Sequence, residues 1–231
     1  MKKIITTMGL AAFVFAGQAV AAEKGFKKIF DGKTLKGWNG KKQFWSVRDG
    51  AITGETKPDN PTKGNTFIIW KGGKVSDFVL IFEYRFLSDK GNSGCQYRSE
   101  NLGNHVVKGY QGDFEAGTRY SGINYGEKTG RGILSDRGKK TVLGDGKTKK
   151  KVETFGDSKE LQKKIKGKGE WNTMNITAKG NHMIHKINDV VMSETIDEGK
   201  EAVTEGILAL QLHAGPPMTV QFRNIRIKHL K

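Results

Sequence analysis

Phe78-Val79-Leu80-Ile81-Phe82-Glu83-Tyr84-Arg85-Phe86 reads as a long β-strand with two unlike faces. Side chains alternate along a strand, so Leu80, Phe82, Tyr84 and Phe86 share one side and Ile81, Glu83 and Arg85 the other. An apolar face needs a partner layer, which predicts a sandwich or a barrel. Working outward, the same period recurs in short runs bounded by Gly, Asn and Asp. Phe44 to Arg48 and Ala51 to Thr53 flank Asp49-Gly50, a tight-hairpin signal. Asn65 to Trp70, Cys95 to Ser99 and Tyr110 to Gly117 read as further strands. Asn172 to Lys179, Met183 to Ile187 and Val190 to Glu194 form a meander, with Asn188-Asp189 as its last turn. Gly206 to His213 and Thr219 to Lys228 close the pattern. One short helix is expected from about Ser158 to Lys166, with Leu161 and Ile165 four apart on its inner side. Glycine is abundant (31) and proline scarce (4), as strands joined by tight turns require. Residues 118–154 are rich in glycine and lysine and read as long irregular loops at one rim.

The chain begins as an exported protein does. Lys2 and Lys3 precede an apolar stretch from Ile4 to Phe15, too short to span a bilayer. Ala19 and Ala21 then stand at the −3 and −1 positions of a cleavage site. Residues 1–21 are therefore expected to be a signal peptide and 22–231 one mature domain, periplasmic or secreted. No later stretch is long and apolar enough for a membrane helix. Cys95 is the single cysteine, so no intrachain disulfide forms and stability rests on the core. The net charge of +16 becomes +14 once Lys2 and Lys3 are removed. The lysines crowd residues 139–168 without interleaved aromatics to stack bases, which excludes nucleic acid as the partner. Weak attraction to anionic glycans suits that charge better.

Four strands each present a polar face: Glu83 with Arg85, Gln96 with Arg98, Gln111 with Asp113 and Glu115, and Gln211 with His213. Exposed sheet faces are ordinarily rich in Lys, Thr and Ser. This set holds carboxylates, arginines, amides and an imidazole. Converging on one curved sheet, they form a groove for a sugar, whose hydroxyls both donate and accept. His213 ends a strand and is followed by Ala214-Gly215-Pro216-Pro217, a rigid turn. That placement suits an acid, a base or a metal ligand. Gly91-Asn92-Ser93-Gly94 reads as a turn.

Several segments, taken in order, carry a resemblance. They are Phe30-Asp31-Gly32-Lys33-Thr34-Leu35-Lys36-Gly37-Trp38, Trp45-Ser46-Val47-Arg48-Asp49-Gly50, Asp77-Phe78 with Glu83-Tyr84-Arg85, and Asn92-Ser93-Gly94 leading into Gln96-Tyr97-Arg98. Gly109-Tyr110-Gln111, Glu170-Trp171-Asn172, Gly206 to Gly215 and Phe222-Arg223-Asn224-Ile225 follow. Together they resemble the bacterial 3-keto-disaccharide hydrolase domain family over nearly the whole mature chain. The resemblance implies an all-β, concanavalin-A-like jelly roll of two antiparallel sheets. It also implies cleavage of glycosides already oxidised at C3, by elimination that is sometimes followed by hydration. Relatives often carry Glu after Gly-Tyr. This chain has Gln111 there, with acids at Asp113 and Glu115.

The chemistry suits the polar faces. A 3-keto group acidifies the C2 hydrogen, a base removes it, and a positive group or donor stabilises the enolate. The residues offer Glu115 or Asp113 as base and Arg98 to hold the enolate oxygen. His213 is the acid, or else a ligand for a divalent metal. Glu83, Arg85, Gln96, Gln111 and Gln211 are expected to bind the substrate, with Glu83 and Gln211 on its hydroxyls or orienting His213. The alternative is a carbohydrate-binding module without catalysis. Its usual aromatic platform finds candidates in Trp38, Trp45, Trp70 and Trp171, yet the pattern puts all four in the core or at an edge.

Overall fold

A computed structural model of the protein describes residues 24–231. The expected signal peptide therefore lies outside the described residues. The strands run β1 (Lys27–Lys28), β2 (Trp38–Asn39), β3 (Trp45–Arg48), β4 (Ala51–Glu55), β5 (Thr66–Trp70), β6 (Phe78–Phe86), β7 (Asn92–Gly103), β8 (Val106–Glu115) and β9 (Asn124–Glu127). They continue as β10 (Gly132–Ser135), β11 (Lys139–Leu143), β12 (Lys149–Thr154), β13 (Asn172–Lys179), β14 (His182–Ile187), β15 (Val190–Asp197), β16 (Ile207–Leu212) and β17 (Thr219–His229). The helix α1 (Ser158–Gln162) lies between β12 and β13.

Two sheets face each other. The larger has ten strands in the order β12-β11-β15-β14-β13-β6-β17-β4-β3, with β1 added on β17. The smaller has seven, in the order β10-β9-β8-β7-β16-β5-β2. Pairing is antiparallel except between β11 and β15, which run parallel. This is a jelly-roll sandwich, as expected. The core forms where the alternation places it: Phe78, Leu80, Phe82, Tyr84 and Phe86 are all buried on one side of β6. Across the interior, Tyr84 stacks on Phe114 of β8 with ring centroids 4.1 Å apart, and Phe82 packs against Phe114 and Phe222. Edge and offset ring contacts of this kind add to the burial term that holds the sheets together. Asp49-Gly50 and Asn188-Asp189 take positive φ at both turn residues (52° and 73°, then 52° and 65°), which matches a tight turn to the right-handed strand twist.

Three expectations needed correction. Residues 118–154 are not loops: they supply β9, β10, β11 and β12. Their runs are four to six residues long and carry many lysines. Pairing with β8 and β15, which lie close in space, organises them more than their own pattern does. Asn92-Ser93-Gly94 opens β7 instead of forming a turn, and Gly94 pairs with Asp113. The helix is shorter than expected. Asp157 caps it by accepting the Lys159 and Glu160 N–H groups, while Leu161 and Ile165 pack on the core. Among the described residues no helix is long and apolar enough to cross a membrane.

Strands β9, β8, β7 and β16 are consecutive neighbours in the smaller sheet. Tyr110, Phe114, Tyr97 and Leu210 point inward. The side chains that alternate with them stand together on the outer face.

Candidate functional site

That outer face forms a groove of about 820 Å³, large enough for a sugar unit and its aglycone. Gln111, Asp113 and Glu115 of β8, Tyr125 and Glu127 of β9, and Gln211 and His213 from the end of β16 all line it. A smaller hollow of about 320 Å³ borders Asn92, Glu115 and His213 too, so the groove continues past them.

Asp113 sits at the centre of an amide network. Asn92 donates from Nδ2 to its Oδ1 at 2.8 Å, and Gln111 donates from Nε2 to its Oδ2 at 3.2 Å. Gln96 and Gln211 each donate to Gln111 Oε1, at 2.7 and 3.0 Å, and Ser99 Oγ donates to Gln96 Oε1 at 2.7 Å. Gly94 makes room for this packing. A methyl there would lie 2.5 Å from the Gln111 side chain. Among the described residues no lysine or arginine pairs with Asp113. Burial, reinforced by the charges of Glu115 and Glu127, pushes its carboxyl up to about 8 against the pull of the two amide bonds. Gln211 Oε1 is buried with no partner among the described residues. An unmet acceptor costs about 1–3 kcal/mol, which a ligand hydroxyl would recover.

His213 is oriented by its own turn. Nδ1 donates to the Ala214 carbonyl at 2.5 Å, and a carbonyl only accepts, so the proton of the neutral ring sits on Nδ1. Nε2 is left as the basic nitrogen. The Ala214 N–H donates to Asn65 Oδ1 at 3.1 Å, and Asn65 Nδ2 donates to Glu127 Oε1 at 3.3 Å. Burial raises the Glu127 carboxyl above its ordinary range. Glu115 holds the following loop: its Oε1 accepts the backbone N–H groups of Arg119 and Tyr120.

The structure brings together Gln96, Gln111, Asp113, Glu115, Gln211 and His213, and leaves three expected residues elsewhere. Arg98 takes a positive φ of 47° at a bulge in β7, which breaks the alternation and redirects the side chain. Its guanidinium donates to the Ser76 and Gly180 carbonyls and pairs with Asp77 at 2.9 Å, beside a different hollow. It therefore stands outside the groove. Glu83 and Arg85 lie on the outer face of the larger sheet, with the core between them and the groove. Glu83 accepts from Arg223 and Asn224, and Arg85 donates to Gln221 while stacking on Trp171.

The tryptophans take no part in the groove. Trp38 and Trp45 are buried, Trp70 packs against the core, and Trp171 lies between Arg85 and Arg223. The aromatic side chains of the groove are Tyr120 and Tyr125. Sequence reading missed Tyr125 and Glu127. Their spacing in Asn124-Tyr125-Gly126-Glu127 is a period of two, the one available signal, in a run too short to stand out. Among the described residues no three His, Cys, Asp or Glu side chains meet as metal ligands around His213 or elsewhere.

A concanavalin-A-like sandwich with an acid, an imidazole and an amide network on one outer face is the framework of a carbohydrate-directed protein. The chain belongs to the 3-keto-α-glucoside-1,2-lyase-like domain family, whose sequence profile matches residues 25–228. Among solved structures it is similar to a candidate glycosyl hydrolase from Parabacteroides distasonis, at 20% identity and TM-score 0.59, over 89% of this chain and 99% of that one. It is also similar to carbohydrate-binding module CBM66 from Bacillus subtilis, at 14% identity and TM-score 0.54, over 83% and 95%. A Bacillus subtilis protein with a galectin-like fold aligns at 10% identity and TM-score 0.55, over 84% and 90%. At such identities these likenesses show a shared fold. No curated protein is significantly similar in sequence.

Proposed function

We propose that the chain cleaves 3-keto-glycosides at the anomeric bond by elimination. The observation that supports catalysis over binding alone is Asp113, a buried carboxyl on an outer sheet face with no cation beside it among the described residues and with its titration pushed up to about 8. At neutral pH the burial of such a group opposes folding, so stability does not account for its place there. A neutral carboxylic acid at neutral pH is a hydrogen-bond donor for a developing oxyanion.

In this reading the protonated Asp113 donates to the C3 oxygen, the role the sequence assigned to Arg98. His213 Nε2 removes the C2 proton, and the C–H electrons move into the enolate. As the enolate collapses, a C1–C2 double bond forms, the C1–O bond breaks, and its electrons leave with the aglycone oxygen. That oxygen takes the proton back from His213. Atoms and electrons balance without a redox partner. Glu127, through Asn65, holds the turn that carries His213. Gln211 Oε1 accepts a sugar hydroxyl. No step is routed through a metal.

The test is a time course of the mature chain with a chromogenic 3-keto-glucoside beside the unoxidised glucoside, with and without chelator. Release from the keto compound alone supports the assignment. Saturable sugar binding with no release from either makes the chain a binding module and overturns it. We also propose removal of residues 1–21 and action in the periplasm or outside the cell. Protein recovered from those fractions should begin at Ala22.

A further inference from the structure

The groove has an acidic floor and a cationic mouth. Arg119, Lys128 and Lys147 border it, and all three are exposed. Among the described residues none lies within ion-pair distance of a carboxylate, in a protein where many surface lysines do. Arg119 is held in a different way. Its guanidinium lies over the Tyr120 ring, 4.9 Å from the centroid, and its backbone N–H is fixed on Glu115. A guanidinium positioned by an aromatic face keeps its fork of N–H donors free for a ligand. Lys128 has a φ of 54°, a left-handed conformation that a lysine adopts at a cost of order 1 kcal/mol, and it follows directly on Glu127 of the groove. The floor opposes these cations unevenly. Burial favours the protonated form of Asp113 and Glu115 is met by two backbone N–H groups, while Glu127 attracts Lys128 and leaves Arg119 as the principal anchor.

We propose that the substrate of this groove is a 3-keto-glycoside carrying a carboxylate, a uronic-acid-type unit on one side of the scissile bond, with Arg119 as its fork and Lys128 and Lys147 at the mouth. The planar guanidinium matches a carboxylate in two parallel hydrogen bonds, and a carboxylate is the oxyanion a sugar unit itself carries. Sugar chemistry takes place over Asp113 and His213, and the charged group selects which glycosides arrive there. This inference rests on the proposed function, and its test separates the two.

The test compares kcat/KM for a 3-keto-glucuronide, its neutral 3-keto-glucoside counterpart and a 6-sulfated 3-keto-glucoside. The uronide should be favoured by about tenfold over the neutral sugar at low salt, the gain expected of one charge-assisted pair. That ratio should shrink as sodium chloride rises through the screening range. Arg119→Gln should bring the ratio close to one, and Lys147→Gln should lower it by about twofold to threefold. Equal rates on the charged and neutral compounds would overturn the inference while leaving the elimination intact. A preference for the sulfated sugar over the uronide would overturn the carboxylate assignment. If neither keto compound is cleaved, the enzymatic reading fails, and calorimetry with glucuronide and glucoside decides the inference alone. Tighter uronide binding that Arg119→Gln abolishes would support it; equal or absent binding would sink it.

Discussion

On the outer face of the larger sheet, Glu83 is met by Arg223 and Asn224, and Arg85 by Gln221 and the Trp171 ring. On the outer face of the smaller sheet, Asp113 is met among the described residues only by the amides of Asn92 and Gln111, and Gln211 keeps a buried acceptor unused there. Both faces carry carboxylates, amides and long cations in strand register. Composition alone does not tell them apart. What separates them is whether each polar group finds its complement within the protein. The larger sheet's face is self-satisfied and therefore structural. The smaller sheet's face leaves a proton, an acceptor and an imidazole nitrogen for something else.

The sharpest way to break this contrast is Asp113→Asn. Turnover of a 3-keto-glucoside should fall by roughly 1,000-fold, as loss of a positioned acid implies. The same variant tests the linkage. Asp113 titrates near 8 when folded, against an ordinary value of 3.8. The folded state therefore binds a proton that the unfolded chain releases between those values. Its stabilising contribution is full below about pH 4 and is lost as pH rises towards 8, at about 1.4 kcal/mol per unit. Urea unfolding at pH 5 and pH 8 should show that slope in the parent chain and its absence in Asp113→Asn.

Arg98→Met comes next. It removes donors to two carbonyls and the partner of Asp77, so stability should drop by about 2–3 kcal/mol, discounted because Asp77 keeps some water. Assayed well below its melting temperature, the variant should keep turnover within about threefold. A collapse of kcat in folded protein would return Arg98 to the mechanism. His213→Ala should lower kcat by about 100-fold with a stability change under about 1 kcal/mol, because the ring is half-exposed. The smallest effect is expected of Glu83→Gln. Its pair with Arg223 is partly exposed, so urea unfolding should register less than about 1 kcal/mol and turnover should not change. A large loss of activity there would erase the distinction between the two faces.

The sequence by itself determined the architecture. Period-two runs such as Phe78 to Phe86, with turn pairs at Asp49-Gly50 and Asn188-Asp189, specify strands, their inner faces and several hairpins, because those signals are local. The same alternation placed Gln111 with Asp113 and Gln211 with His213, and the structure keeps both pairs on one face. The family's motifs, spread from Phe30 to Ile225, carried the fold type. Three matters were decided only in three dimensions. The weak runs in 118–154 became strands by pairing with β8 and β15, which brought Tyr125 and Glu127 into the groove. A single left-handed residue at the β7 bulge turned Arg98 out of it. Sheet membership put Glu83 and Arg85 on the far side of the core. Strand alternation fixes a side chain's face relative to its own neighbours, but which sheet owns that face, and what stands across from it, depends on contacts far apart in the chain.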